Sequence, residues 1–174
     1  MRKFLITLFI SLLAGTGAWA DVDVATRHVP DASLVGKARL KVLFWKVYDA
    51  ELYAPNGDWS ADAPFALSLN YLRKLEGEQI AKRTIVEMRK QGFEDEVTLA
   101  RWFDDMRSII PDVEKNTRIT GVADDTQNTL FYSDGKLIGE IKDPLFTQKF
   151  FDIWLGEKSS QPKMRNKLLG GTKS

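Results

Sequence analysis

Few side chains in this sequence have the types and spacing that catalysis or metal binding requires. His28 is the only histidine and the chain has no cysteine, so a zinc site built on thiolates and several imidazoles is excluded. A Ser-His-Asp triad would have to use His28 in a polar segment near the N-terminus, which is a poor platform for exact geometry. Glycine-rich phosphate loops and the G-x-S-x-G motif are also missing. We therefore expect no metal ion and no cofactor.

Two acidic clusters are candidates for chemistry. Asp124-Asp125 lies between Ala123 and Thr126, and paired acids in a turn can bind a cation or act as acid and base. More often such residues accept hydrogen bonds from their own backbone and form the turn. Glu94-Asp95-Glu96 precedes a predicted helix, where the macrodipole favours negative charge. We interpret both clusters as structural.

Residues 1–20 have the three parts of a cleavable secretory signal peptide. Arg2-Lys3 precedes an apolar run over residues 4–14, and the small-x-small motif Ala18-Trp19-Ala20 follows. The apolar run is about half the ~20 residues needed to span a bilayer, and a lipoprotein would need a cysteine at the cleavage point. We predict cleavage after Ala20, a single domain over residues 21–174 and a periplasmic location, with no transmembrane span in the mature form.

The charge balance argues against a nucleic-acid partner. The full chain has 25 Lys and Arg against 24 Asp and Glu. Cleavage removes Arg2 and Lys3 and no acid, which leaves 23 against 24 and a net charge of −1. A near-neutral domain has no electrostatic surface for a polyanion. The sequence does not identify a protein partner.

The hydrophobic periodicity predicts runs of strands separated by helices. Residues 34–55 are rich in β-branched and aromatic types, which is typical of strands. In residues 65–72 the large apolar side chains alternate with a period of two, which indicates a strand with one buried face and one partly solvent-exposed face. Residues 21–32 are interpreted as an extended lead-in. Further predicted elements are helices over 77–91, 94–109, after Asp143-Pro144 and after Gln161-Pro162, a strand over 118–122 and a hairpin over 128–141 turning at Asp134-Gly135. This order favours an α+β fold, an antiparallel sheet with helices on one face.

Three segments resemble the chalcone isomerase family in its bacterial exported chalcone isomerase-like branch. The first pairs Leu34-Val-Gly-Lys-Ala-Arg39 with Lys46-Val-Tyr-Asp-Ala-Glu-Leu-Tyr53, and the second is the helix start Gly77-Glu-Gln-Ile80. The third is Phe150-Phe-Asp-Ile-Trp-Leu-Gly-Glu157 with Ser159-Ser-Gln-Pro162 and Arg165. The resemblance implies an open-faced β-sandwich with a ligand cleft between sheet and helices, and a function as either an isomerase or a fatty-acid-binding protein.

The resemblance also implies ligand-binding residues. Arg39 stands where the family's arginine holds a ligand oxygen, and Tyr48 matches the tyrosine of the fatty-acid-binding branch. The tyrosine and asparagine of the catalytic enzymes fall at about Ile80 and Glu87, which cannot replace their hydrogen bonds, so the resemblance predicts no catalytic residues and no chalcone cyclisation. Arg39 and Tyr48 are nine positions apart and converge only if a turn or bulge lies between them.

Three functions stay open from the sequence. The first is an exported, non-catalytic protein that binds a small amphipathic acid, such as a fatty acid, through Arg39 and Tyr48. The second is an isomerase or intramolecular lyase on an unidentified substrate, with Arg39 as electrophile and Tyr48 moving the proton. The third is an interaction module whose cleft is filled by its own side chains, since fold does not imply function.

Overall fold

Six strands form one antiparallel sheet in the computed structural model, which describes residues 19–171. Each strand pairs with the next along the chain, as short connections between antiparallel neighbours allow. Residues 1–18 of the predicted signal peptide lie outside the described residues. The strands are β1 (Ala32–Val42), β2 (Trp45–Pro55), β3 (Phe65–Tyr71), β4 (Arg118–Ala123), β5 (Thr129–Ser133) and β6 (Lys136–Ile141).

Helices precede this meander, interrupt it between β3 and β4, and follow it. The described residues form α1 (Trp19–His28), α2 (Gly77–Lys90), α3 (Glu96–Ile109), α4 (Pro144–Leu155) and α5 (Pro162–Leu168). The predicted α+β class and antiparallel open sheet are therefore confirmed. The predicted elements from residue 34 onward correspond to these strands and helices.

Side-chain caps fix where two of the helices begin. The Asp95 carboxylate accepts hydrogen bonds from the backbone N–H groups of Val97 and Thr98 at the start of α3, which satisfies donors that lack helical partners. Asp143 does the same for α4 and also accepts from the indole Nε1 of Trp102 at 3.0 Å. One carboxylate thus begins α4 and holds it against α3.

The main hydrophobic core lies between α2–α5 and one face of the sheet, which we call the inner face. It is unusually aromatic. Phe150 packs edge-on against Phe131, Phe151 and Trp154 with ring centroids 5.0 to 5.4 Å apart. Such tilted pairs stabilise beyond their buried area.

The expectation of an extended lead-in over residues 21–32 is wrong for most of its length. Residues 21–28 of this segment belong to α1, which covers the face of the sheet opposite the main core. We call this the outer face. Val24, Ala25 and Val29 have helical spacing and are fully buried against the sheet, and this contact outweighs the polar composition around them. His28 is accordingly half-buried, with its Nε2 2.7 Å from the Tyr132 hydroxyl.

The helix α1 also explains a second departure from expectation. The alternation in residues 65–72 predicts one wet face, but β3 is buried on nearly all its residues. Its Ala66 side belongs to the small cluster under α1. None of the described helices is long and apolar enough to cross a membrane.

The strand β1 is held against α5 at a single glycine. Gly36 sits at a register shift between β1 and β2, and a Cβ built there would overlap the backbone carbonyl oxygens of Lys167 and Leu168. Backbone cannot move aside as a flexible side chain can. Only glycine permits this approach of strand and helix.

We therefore expect Gly36→Ala to lower the free energy of unfolding by about 1–3 kcal/mol, the usual cost of overpacking. Chemical denaturation with a linear-extrapolation fit measures it. Ser33→Ala on the same strand, at an exposed position, is the control and should change the free energy by less than about 0.5 kcal/mol. Equal values for the two variants would show that the close approach does not constrain the fold.

Candidate ligand-binding site

A cavity of about 360 Å³ lies between the inner face of the sheet and the helices. We call it the site cavity. Its deep end is formed by buried apolar side chains, among them Leu67, Met106 and Phe131. Its volume is in the lower part of the range of about 300–1,000 Å³ that small-molecule sites occupy.

The mouth of the site cavity is polar, in contrast to its walls. The exposed lining residues are Gln79 and Arg83 on α2, Ser160 and Gln161 before α5, and Val42 at the end of β1. Such a distribution fits a ligand with an apolar body and one polar end, because polar groups at the mouth need not be desolvated completely.

Tyr48 carries a hydroxyl into this apolar surrounding. Its oxygen accepts a hydrogen bond from Nε1 of Trp154 at 2.9 Å, and its ring packs edge-on against Tyr71. Among residues 19–171, none accepts a hydrogen bond from the Tyr48 hydroxyl. Because a phenol both donates and accepts, its proton is available to an oxygen atom of a ligand.

The Tyr48 phenol stays neutral at physiological pH. Burial raises the pKa of Tyr48 to about 12, although the hydrogen bond from Trp154 opposes the rise. Glu87 and Arg83 lie close enough to shift this pKa further, in opposite directions. In this neutral form the phenol retains the proton that a hydrogen bond to a ligand would need.

Glu87 is a buried carboxylate at the mouth, with three partners. Oε1 is 2.6 Å from the guanidinium of Arg83 and 3.2 Å from Nζ of Lys90, and Oε2 accepts from the Ser160 hydroxyl at 2.7 Å. Burial favours the neutral acid, but the hydrogen bonds from Ser160 and Lys90 and the charge of Arg83 outweigh it, so the pKa of Glu87 lies below its ordinary value. The carboxylate is ionised at neutral pH.

The Glu87 carboxylate is paired with two cations, Arg83, which lines the site cavity, and Lys90, which does not. The Arg83 side chain is 63% exposed, and only one of its five N–H donors is needed for the contact with Glu87. No other acceptor among the described residues contacts this guanidinium, so its remaining donors can bind an anionic group that enters the mouth.

Comparison of the sequence with known proteins assigns the chain to a family. Residues 23–170 match the family model described as chalcone isomerase-like. The chain belongs to the chalcone isomerase-like family. A Haemophilus influenzae protein described as uncharacterized belongs among its relatives, being 30% identical over 129 residues, which are 74% of this chain and 63% of that protein. The matched region is thus less than two thirds of that relative's length.

A solved structure shares the chalcone isomerase-like fold. The crystal structure of the Arabidopsis thaliana fatty-acid binding protein AtFAP1 superposes with a TM-score of 0.63 at 17% sequence identity, covering 80% of this chain and 87% of that one. At this identity the likeness establishes the fold alone. It confirms the open sheet with its helical layer.

The two residues that the family resemblance assigns to ligand binding do not share a face of the sheet. Arg39 is the register partner of Asp49, whereas Leu40 is that of Tyr48, and side chains alternate between faces along a strand. Arg39 therefore lies on the outer face, where its guanidinium donates two hydrogen bonds to the Asp49 carboxylate, one of them at 2.8 Å. It does not line the site cavity. The turn between β1 and β2 does not bring it to Tyr48.

Ile80 and Glu87, the positions matched to enzyme residues, both line the site cavity. Sequence reasoning did not identify Arg83 as a site residue. A signal was present, because Ile80, Arg83, Thr84 and Glu87 have the spacing of one helix face. On this face of α2, the charged residues Arg83 and Glu87 lie at the mouth, where the apolar surface of the helix ends.

Tyr48→Phe is expected to lower the free energy of unfolding by about 1–3 kcal/mol, because it leaves the buried Trp154 N–H without an acceptor. Chemical denaturation measures the change, and the tryptophan signal in near-ultraviolet circular dichroism reports the altered Trp154 environment. The matched control is Tyr71→Phe, since no described residue is hydrogen-bonded to the Tyr71 hydroxyl. If both variants lose the same stability, the hydrogen bond between Tyr48 and Trp154 does not carry the effect.

Proposed function

We propose that the protein is a non-catalytic carrier that binds a small amphipathic acid, such as a fatty acid, in the site cavity. The observation that carries the proposal is the combination of an apolar cavity with one polar end, lined by the neutral phenol of Tyr48 and by the exposed guanidinium of Arg83. The description of AtFAP1 as a fatty-acid binding protein supports the same ligand class.

The geometry favours Tyr48 and Arg83 as the groups that bind the carboxylate. Tyr48 has a hydroxyl proton to donate, and Arg83 has unused donors at the mouth. Arginine suits a carboxylate because its planar fork can donate two parallel hydrogen bonds. A ligand-binding role for Arg39 stays a prediction that its position on the outer face, beside Asp49, does not support.

Glu87 limits which ligands the site accepts. Its negative charge would repel a carboxylate that reached past Arg83, so the head group must stay at the Tyr48 and Arg83 side of the mouth. The ion pair with Glu87 also holds the guanidinium in place before the ligand arrives, which reduces the ordering cost of binding.

Dodecanoate is the probe that tests this proposal, with titration calorimetry as the measurement. Arg83→Ala should raise the dissociation constant about tenfold. A hydrogen bond to a charged group is worth about 1.5–3 kcal/mol, tenfold corresponds to about 1.4 kcal/mol, and solvent screening at the exposed Arg83 favours the lower end. Dodecanol should bind both proteins equally, because it carries no charge for Arg83 to stabilise.

Two controls separate the anchor from general effects. Arg89→Ala removes another exposed arginine of α2 that is paired with a glutamate, Glu96, and that does not line the cavity. Arg39→Ala tests the residue on the outer face. Both should leave dodecanoate binding unchanged. Absence of binding to the unmodified protein would refute the proposed function, whereas binding lost in Arg39→Ala and kept in Arg83→Ala would refute only the choice of anchor.

We also propose that the protein works outside the cytoplasm after cleavage of residues 1–20. Cleavage after Ala20 would remove the first two residues of α1. The residues that contact the outer face of the sheet, Val24 and Ala25 in α1 and Val29 just after it, all follow the predicted cleavage point, so removal of the leader would leave this contact intact.

Expression of the full chain in a bacterial host should yield a periplasmic protein whose intact mass corresponds to an N-terminus at Asp21. Ala20→Arg, which destroys the small-x-small motif, should leave the leader attached because the peptidase needs a small residue there. A cytoplasmic protein that keeps Met1 in the unmodified chain would contradict the export proposal.

A further inference from the structure

The turn between β1 and β2 exposes a continuous apolar segment. Its residues, which we call the hairpin tip, are Val42, Leu43, Phe44 and Trp45, with exposed fractions of 51%, 86%, 97% and 62%. Single exposed apolar residues are ordinary on protein surfaces, but a continuous group of large ones marks an interaction site.

The fold itself does not call for these residues at the hairpin tip. Leu43 has a φ of 54°, in the left-handed region that two-residue hairpin turns require and that glycine or asparagine usually fills. A leucine there carries a conformational cost, and it packs against little in return. Hairpin stability therefore does not account for large apolar residues at the tip, whereas an interaction with another molecule or surface would.

Cations surround the hairpin tip. Lys41 and Lys46 are direct register partners at the base of the turn, an arrangement of like charges that destabilises a strand pair. Arg73 adds a third charge, with its guanidinium carbon 5.0 Å from the centroid of the Trp45 ring. Within residues 19–171, none of these three cations forms an ion pair with a carboxylate.

An anionic lipid surface fits this combination better than a protein does. A tip that projects from the sheet suits a penetrable interface, tryptophan favours the level of the lipid head groups, and lysine and arginine bind anionic lipids. A second copy of the chain is disfavoured, because it would bring the uncompensated cations of two tips together.

The hairpin tip is continuous with the site cavity. Val42 belongs to both, and its strand neighbours Leu40 and Val47 line the cavity just inside. A membrane bound at the tip would therefore lie beside the mouth, so that an amphipathic molecule could pass between bilayer and cavity with little exposure of its apolar part to water.

We propose that the hairpin tip inserts into the surface of an anionic membrane and docks the mouth of the site cavity against it. Leu43 and Phe44 enter the lipid, Trp45 lies at the level of the head groups, and Lys41, Lys46 and Arg73 contact the lipid phosphates. This surface is separate from the cavity lining described above, apart from Val42 at the boundary.

Co-sedimentation with vesicles tests the docking surface. The protein purified from cells that express the full chain should bind vesicles of phosphatidylcholine with about one third phosphatidylglycerol, and binding should weaken with added salt because screening reduces the attraction. The double variant Leu43→Gly/Phe44→Ser should bind at least about tenfold more weakly. Its melting temperature should be unchanged or higher, because glycine relieves the turn.

Val97→Ser is the matched control, since Val97 is 83% exposed on α3, away from the hairpin, and it should bind like the unmodified protein. Lys41→Gln/Lys46→Gln should lose the preference for phosphatidylglycerol over pure phosphatidylcholine. Failure of the unmodified protein to bind, or equal binding by the tip variant, would overturn the proposal, and in the first case concentration-dependent dimerisation would identify a second copy as the occupant. No ligand is added, so the result does not depend on the proposed function.

Discussion

The register of the first two strands determines which of their side chains reach the site cavity. Because directly paired residues point to the same face, pairing Leu40 with Tyr48 sends both side chains inward, and pairing Arg39 with Asp49 sends both outward. Tyr48 thereby reaches the apolar interior and accepts the indole hydrogen bond of Trp154, which joins the sheet to α4. A slip of one residue would exchange the faces, placing charged residues in the core and Tyr48 in water.

The cavity lies between the sheet and the helices, and the hairpin of β1 and β2 lines part of it through Leu40, Val42 and Val47. Gly36 allows α5 to approach β1 closely, and the aromatic cluster around Phe150 fills the space farther along. Between them a volume of about 360 Å³ stays open. Its chemistry is asymmetric, because the charged side chains among the described residues that line it, Arg83 and Glu87, lie at the mouth. This asymmetry underlies the proposal of an amphipathic ligand.

The sequence predicts the fold well because its signals are local. Period-two alternation, the Asp134-Gly135 turn and the Asp143-Pro144 helix start each depend on neighbours along the chain. One feature of the fold depends on distant contacts and was misjudged. The polar composition of residues 21–32 hides a helix that the outer face of the sheet stabilises through Val24, Ala25 and Val29.

The site was predictable only in part, because some of its residues are brought together by contacts between segments that are distant in the sequence. Tyr48 lines the cavity as a residue of the inner face, but the face of Arg39 depends on a register that spacing alone left open. In the sequence, Arg83 resembles an ordinary surface arginine. Only the packing of α2 against the sheet places its ion pair with the buried Glu87 at the mouth of the site cavity.

The most direct test of the central claim is a crystal structure with ω-bromododecanoate, using anomalous scattering to locate the bromine. We expect the bromine at the deep end of the site cavity, among Leu67, Met106 and Phe131, with the carboxylate contacting Tyr48 and Arg83. Bromine density on the outer face beside Arg39, or an unoccupied cavity at saturating ligand, would contradict it.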